Sequence, residues 1–153
     1  MVTSMDMTAA PAPTNLRASA LREELHSHCF ACAPGNEHGL GLVFHTDAEG
    51  VTHATWHPLP GFQSYDGRIH GGILATLIDA SMVHTLFARG IAGVTAEMTV
   101  RYHAPVLLDE PVEVTTRLET QRHGVYSLCA EVRQTGDLAA KAHAKFMEMP
   151  KVS

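Results

Sequence analysis

The chain has 153 residues, 45% hydrophobic and 18% charged, which is the composition of an ordinary globular domain with its own core. Eleven Lys and Arg face sixteen Asp and Glu, and the net charge of -5 argues against a nucleic-acid partner. An odd number of cysteines, no signal-peptide pattern at the N-terminus and no long apolar stretch predict a cytoplasmic protein with no membrane partner.

The first elements are predicted from composition and turn residues. Residues 1–15 are rich in Ala, Pro, Thr and Met without periodicity and are predicted to form a disordered tail, so that 16–153 form one domain. A short helix is expected over 16–26. A loop rich in Gly, Pro and Asn follows, and then a hairpin with strands over 41–45 and 51–57.

A long helix is predicted from Gly71 to Arg89. The segment contains no proline, carries apolar residues on every side and ends at Gly90, which is a suitable C-terminal residue. A helix that is apolar all round should be buried.

The chain after Gly93 alternates between apolar and polar residues, which predicts strands. The first strand should place one set of residues on its apolar face (Val94, Ala96, Met98, Val100, Tyr102) and a second set on its polar face (Thr95, Glu97, Thr99, Arg101, His103). Three more strands over 112–118, 126–132 and 140–146 form a meander, with Cys129 expected in the core. The predicted fold is α+β, with an antiparallel sheet wrapped around one long central helix.

The helix begins with the sequence His70-Gly71-Gly72. Glycines at a helix start leave backbone N–H groups unshielded, and these groups together with the helix dipole favour a developing negative charge. The same glycines could instead serve only to give the chain a tight entry into the helix.

Asp79 lies on this helix among apolar neighbours. An unpaired acid on such a surface costs several kcal/mol, which favours a functional role. The alternative is a structural acid that is hydrogen-bonded to a nearby hydroxyl or amide.

His70 and Asp79 are nine residues apart, which is roughly 14 Å along a helix and nearly opposite in direction. If both act on one substrate, the two groups must come from different chains. This spacing predicts a homodimer with its helices side by side.

Taken together, HGGILATLID, GVTAEM, RYHAPV and the following meander resemble the hotdog-fold acyl-CoA thioesterases of the phenylacetate-pathway type, over about residues 39–149. The leading CFACAPGNEHGLGL resembles a segment found in many members of that family. There a glycine usually follows the second cysteine, whereas this chain has Ala33.

The resemblance implies a single hotdog domain that hydrolyses an acyl-CoA to a carboxylic acid and free CoA, as a homodimer or a dimer of dimers (a homotetramer). Asp79 matches the catalytic nucleophile or general base, and the Gly71 amide matches the group that polarises the thioester carbonyl. His70 matches the neighbouring histidine, and Thr95 matches a position whose hydroxyl orients water or Asp79. Thr95 could also be an ordinary strand threonine.

Substrate contacts are expected from a further set of residues, and no metal or cofactor is expected. Ser64 occupies a position where some members have Asn. The expected set is Gln63, Ser64, Gly72, Met82, Arg101 and Arg122. Two alternatives remain, which are a non-catalytic acyl-CoA-binding hotdog protein and an enoyl-thioester hydratase.

A second group of candidate ligands precedes the hairpin, namely His26, His28, Cys29, Cys32 and His38. Its Cys-x-x-Cys spacing occurs in zinc sites, but the chain has a core without a metal, and loop packing is the favoured interpretation. A redox role lacks the expected strand and helix context. His84, five residues after Asp79, is expected to be a hydrogen-bonded interior histidine.

Overall fold

The computed structural model describes residues 13–150. The predicted tail over 1–15 lies outside these residues except for its last three. Thr14 caps the first helix, α1 (Asn15–Leu25), by accepting a hydrogen bond from the Arg17 N–H. The Asn15 side chain exchanges two hydrogen bonds with the backbone of Thr46, which fastens α1 to the first strand.

Six antiparallel strands form one sheet in the spatial order β1, β2, β4, β5, β6, β3. The strands are β1 (His45–Thr46), β2 (Thr52–Trp56), β3 (Gly93–Tyr102), β4 (Val112–Arg122), β5 (Val125–Gln134) and β6 (Asp137–Glu148). The predicted hairpin is present, but β1 covers only the end of the predicted 41–45 strand.

The second helix, α2 (Gly71–Phe87), packs against strands β2, β3, β4 and β5 on one face of the sheet and against α1. Its second half is buried all round, as the apolar composition predicts. Gly90 adopts a φ of 75°, a backbone conformation that would be strained in a residue with a side chain. The helical segment therefore ends close to the predicted position. The predicted architecture, a sheet wrapped around one long helix, is confirmed.

The meander of β4, β5 and β6 is joined by two-residue turns. His123-Gly124 and Thr135-Gly136 all have positive φ, which is the pattern of the type I′ turn that matches the twist of antiparallel strands. Within the meander, alternate residues of β5 face α2 and are buried. Cys129 falls between them and faces away from α2, opposite His143, so its predicted core position is wrong.

Strand β3 departs from the predicted alternation because a β-bulge lies between Thr95 and Glu97. Thr95 pairs with Phe146 and Met98 pairs with Ala144, both of which face α2. Val94 instead pairs with Met147 on the outer face. The prediction that Val94 shares a face with Met98, and Thr95 with Glu97, is therefore wrong, since the extra residue of a bulge reverses the alternation.

None of the helices within residues 13–150 has both the length and the apolar character that a membrane span requires.

Candidate active site

The start of α2 is built around His70, the N-cap residue. Its Nδ1 accepts a hydrogen bond from the Gly72 N–H at 2.8 Å, so in the neutral ring the proton is on Nε2. The ring is exposed, and Nε2 is therefore a hydrogen-bond donor directed away from the cap. Gly72 is exposed as well, but its N–H is already occupied by His70.

The Gly71 N–H, by contrast, has no hydrogen-bond acceptor within residues 13–150. It belongs to the first turn of α2, where the helix dipole is positive. A free N–H at this place has the character required of an oxyanion donor, as the sequence suggests for Gly71.

Tyr102, at the end of β3, is a functional candidate that sequence reasoning missed. Its hydroxyl donates to the Gly71 carbonyl oxygen at 2.7 Å, and a Cβ at Gly71 would lie 3.4 Å from its ring. Burial raises the pKa of the Tyr102 phenol, which keeps the donor proton in place. Nothing in the local sequence of β3 marks this contact, because it joins residues 31 positions apart.

The loop before His70 is held by Gln63. Its Nε2 donates to the Pro60 carbonyl at 2.8 Å, and its Oε1 accepts from the Gly67 N–H at 2.7 Å. The side chain of Gln63 is thus engaged within the loop, whereas Ser64 is exposed. Gln63 shapes the entry to α2, and Ser64 is free to face a ligand.

Asp79 and Thr95 are joined directly. The Thr95 hydroxyl donates a hydrogen bond to Asp79 Oδ1, which connects the middle of α2 to the bulge of β3. Asp79 is half-buried and Thr95 is exposed in the single chain. A hydroxyl that donates to a carboxylate keeps its lone pairs available, so a water molecule could donate to both groups at once.

The two halves of the candidate site are far apart within one chain. Gly71 and Asp79 are eight residues apart on α2, which is about 12 Å along the helix axis. A thioester carbonyl polarised at the Gly71 N–H cannot lie within reach of Asp79 in the same chain.

The remaining expected substrate contacts are dispersed. Met82 is fully buried in the hydrophobic core. Arg101 lies opposite Lys141 on the sheet face turned away from α2, and Arg122 is exposed at the end of β4. The two arginines stay predictions as contacts for a phosphate group.

Three of the five residues in the other candidate group come together, and two do not. One ring nitrogen of His26, Cys29 Sγ and Cys32 Sγ all lie within 4.8 Å of one another, whereas His28 and His38 are exposed outside this cluster. Burial and the neighbouring Cys29 raise the pKa of the Cys32 thiol to about 12, so the thiol alone is a poor nucleophile. The electrostatic influence of Asp79 reaches His26, although burial dominates and lowers the pKa of that histidine.

His84 is interior, as predicted, but its predicted hydrogen bonding is wrong for Nε2, which is buried without a partner within residues 13–150. Its ring lies between aromatic rings, with centroids 4.3 Å from Phe44 and 5.4 Å from Phe87, which offer no acceptor. Burial lowers the pKa of His84 to about 3.

Comparisons with known proteins agree with this architecture. The family model described as the thioesterase superfamily matches residues 66–140, which include the whole of α2 and β3. Human acyl-coenzyme A thioesterase 13 is 30% identical over 86 residues, or 53% of this chain and 61% of the human protein. The chain thus spans less than two thirds of the length of this curated relative.

Solved structures carry the same fold. A protein from Ralstonia eutropha JMP134, described as related to phenylacetic acid degradation, is 25% identical with a TM-score of 0.69, covering 86% of this chain and 98% of that chain. PaaI from the phenylacetic acid degradation operon of E. coli is 16% identical with a TM-score of 0.75, covering 90% and 96%. The resemblance to hotdog-fold thioesterases predicted from the sequence is confirmed.

A third solved structure contains a ligand. A hypothetical thioesterase of Streptococcus pneumoniae TIGR4 with coenzyme A is 21% identical with a TM-score of 0.67, covering 80% of this chain and 96% of that chain. That protein was also solved with an aspartate and, separately, a threonine replaced by alanine, at positions sixteen apart.

Proposed function

We propose that this chain, which has the fold and sequence pattern of a hotdog thioesterase, hydrolyses an acyl-CoA to a carboxylic acid and free CoA. The observation that carries the proposal is the hydrogen bond from Thr95 to Asp79, which prepares a carboxylate and a hydroxyl to hold one water molecule. The pneumococcal aspartate and threonine have the same spacing, since Asp79 and Thr95 are also sixteen positions apart.

Asp79 acts as the general base in this proposal. Thr95 donates to Oδ1, so Oδ2 remains to accept a proton from the water as the water oxygen attacks the thioester carbonyl carbon. Collapse of the tetrahedral intermediate then breaks the carbon–sulfur bond, and the thiolate takes up a proton. A direct attack by Asp79 on the carbonyl is the alternative for the same residue.

The negative charge on the carbonyl oxygen is stabilised by the start of α2. The Gly71 N–H has no acceptor among the described residues and lies at the positive end of the helix dipole, and His70 carries a second donor at Nε2. Tyr102 acts as a positioning residue, because its hydrogen bond to the Gly71 carbonyl fixes the Gly71–Gly72 peptide in the first turn of α2, next to the Gly71 N–H.

The complete site requires two chains. About 12 Å separates Gly71 from Asp79 within one α2, so each carbonyl is held by one protomer and attacked from its partner. Two exposed features suit this arrangement. The first half of α2 keeps Gly72, Thr76 and Asp79 incompletely buried along one side, and β3 is an edge strand of the sheet in the single chain.

Val94 and Tyr102, at the two ends of β3, are 48% and 49% exposed, which is high for apolar strand residues. A second copy that pairs along the β3 edge and covers the exposed side of α2 would bury Tyr102 and bring its own Gly71 toward Asp79. We therefore propose a homodimer, with a dimer of dimers as its larger form. A cytoplasmic location is proposed on the sequence evidence alone.

The test is release of free thiol from a panel of short, medium, long and aromatic acyl-CoAs. Asp79→Asn keeps the size of the side chain and removes the base, so turnover should fall at least about a hundredfold. Asp109→Asn, in an exposed turn, is the matched control and should keep wild-type activity.

Failure of the whole panel, with ligand binding seen by calorimetry, would favour the binding-protein alternative. Loss of the enoyl chromophore without thiol release would favour the hydratase alternative. Wild-type turnover by Asp79→Asn would refute the role of Asp79.

A further inference from the structure

The segment between α1 and β1 brings one imidazole and two thiols to a single point. His26 is the C-cap residue of α1, and one of its ring nitrogens lies within 4.8 Å of both Cys29 Sγ and Cys32 Sγ, which are themselves within 4.8 Å of each other. Two consecutive turns produce this arrangement. The Cys29 N–H donates to the His26 carbonyl at 3.2 Å, and the Ala33 N–H donates to the Cys29 carbonyl at 2.9 Å.

The distances suit a tetrahedral metal. Typical zinc–sulfur and zinc–nitrogen bonds at a tetrahedral angle place the sulfur and nitrogen atoms about 3.6 Å apart. The observed distance from Cys32 Sγ to His26 Nδ1 is 3.7 Å. A zinc ion could therefore bind with little movement of these two ligands.

The fold already holds the side chains of His26, Cys29 and Cys32 in place, so this segment needs little additional ordering to bind a metal ion. The Leu40 N–H donates to the Phe30 carbonyl at 2.7 Å, and the Leu42 N–H donates to the Ala31 carbonyl at 2.9 Å, which ties the segment across its own loop. Gly39 permits this closure, since a Cβ there would lie 2.3 Å from the Phe30 carbonyl oxygen. Ala33 is buried and its φ is not positive, so an alanine fits at this position without strain.

A second observation beside the cluster points to a ligand. A cavity of about 170 Å³ is lined by Cys32, Arg22, Phe44 and His84, among others. His84 is only 5% exposed, and its Nε2 has no hydrogen-bond partner within residues 13–150. The cavity thus offers room for a water molecule at a fourth coordination position, and its lining includes a buried histidine whose Nε2 lacks a partner within residues 13–150.

We propose that His26, Cys29 and Cys32 bind one zinc ion, with the fourth position open to water from the adjacent cavity. Thiolate and imidazole ligands select zinc over magnesium or calcium, which prefer oxygen. Two thiolates and one Zn²⁺ make a neutral unit, which can be buried beside Ala31 and Ala33 at low electrostatic cost. Binding releases the two thiol protons to solvent.

The metal fastens the end of α1 to the loop over α2. His26 packs edge-on against Phe87 of α2, with centroids 5.0 Å apart, so the ion fixes a segment that lies on the central helix. This role is structural and is independent of the proposed hydrolysis. It predicts a metal-dependent stability, whatever reaction the chain catalyses.

The test uses the full chain, reduced and freed of metal by a chelator, and then titrated with Co²⁺ as a spectroscopic probe for zinc. The expected result is about one Co²⁺ per chain, with thiolate-to-cobalt charge-transfer absorption, displacement by Zn²⁺ and a raised Tm. Cys29→Ser and Cys32→Ser should each lose the charge-transfer band. The half-exposed Cys29 is the variant expected to keep the fold if Cys32→Ser does not.

Two matched controls separate this site from others. Cys129→Ser removes the cysteine of another potential ligand cluster, which it forms with Glu119 and His143 on the outer sheet face, and should leave Co²⁺ binding unchanged. His28→Asn removes a nearby histidine outside the cluster and should also have no effect. Absence of the charge-transfer band in the reduced wild type, or a Cys29–Cys32 disulfide in protein purified without oxidant, would overturn the proposal. A band that persists in Cys29→Ser would do the same.

Discussion

Thr95 donates a hydrogen bond to Asp79 across the space between strand β3 and the central helix, and this bond depends on a β-bulge. Without the bulge, strict alternation would direct Thr95 to the outer face of the sheet together with Glu97. The bulge therefore links the local backbone irregularity of β3 to the candidate catalytic carboxylate.

Thr95→Val should lower kcat about 10-fold to 100-fold with a smaller change in KM, because valine has the same shape but cannot orient Asp79 or the water. Thr95→Ser keeps the hydroxyl and should stay within about threefold of wild type. Steady-state thiol release measures both constants. Equal losses in the valine and serine variants would indicate that Thr95 contributes only packing.

The contact between Thr95 and Asp79 also shows how much of the site can be predicted from the sequence. The alternating pattern predicts the strands, the meander and the buried helix correctly, because core burial requires period two in a half-buried strand and apolar residues around α2. The bulge itself, from Thr95 to Glu97, contains no glycine or proline to indicate it, and it is visible only in the pairing of Thr95 with Phe146 and of Glu97 with Lys145. Tyr102 escaped prediction for the same reason, since its partner Gly71 lies in another element.

The cluster of His26, Cys29 and Cys32 was suggested by spacing, but spacing alone also included two histidines that the structure leaves exposed. Only the successive turns from His26 to Ala33 decide which side chains converge. The sequence does not predict that His84 Nε2 lacks a partner in the described part of the chain, because the neighbouring rings of Phe44 and Phe87 are set by tertiary packing.

The proposed oxyanion donor, the Gly71 N–H, can be removed without breaking the helix. Gly71 is the first residue of α2, a position where proline is well tolerated, and the ψ of 133° at His70 suits a following proline. Gly71→Pro deletes the N–H and should lower kcat about 100-fold to 1000-fold.

Gly71→Ala is the matched control for this change. It adds the same Cβ, 3.4 Å from the Tyr102 ring, but keeps the N–H, so its activity should fall less than about tenfold. Circular dichroism and Tm check the fold of both variants. Comparable activities of the proline and alanine variants would exclude the Gly71 N–H as the donor.

The burial of His84 leads us to expect that the folded chain becomes less stable at acid pH. The unfolded chain binds a proton at this residue near its usual pKa of 6.5, whereas burial holds the folded pKa at about 3, with His26 and Arg22 adding repulsion. Between these values the unfolded state binds more protons, so the free energy of unfolding decreases as the pH falls, by up to about 1.4 kcal/mol per pH unit.

Replacing His84 by leucine removes this dependence and should flatten the curve of unfolding free energy between pH 6.5 and 4.5, as measured by urea denaturation. His57→Leu, at an exposed position, is the control and should keep the wild-type slope. An unchanged slope in His84→Leu would mean that other groups cause the acid sensitivity.

The proposed two-chain site makes a prediction that a one-chain site does not. Gly71→Pro and Asp79→Asn should each be inactive as homodimers, since each lacks one half of both sites. A heterodimer that carries one change in each chain contains one site with both changes and one site with neither, because Gly71 and Asp79 of a site come from different chains.

Two affinity tags on co-expressed chains allow this heterodimer to be purified. Its thiol release should recover to about half of the wild-type value per dimer. If both groups of a site came from one chain, every site in the heterodimer would carry a single change and the recovered activity would be near zero. The spacing of about 12 Å along α2 between Gly71 and Asp79 is the reason to expect recovery.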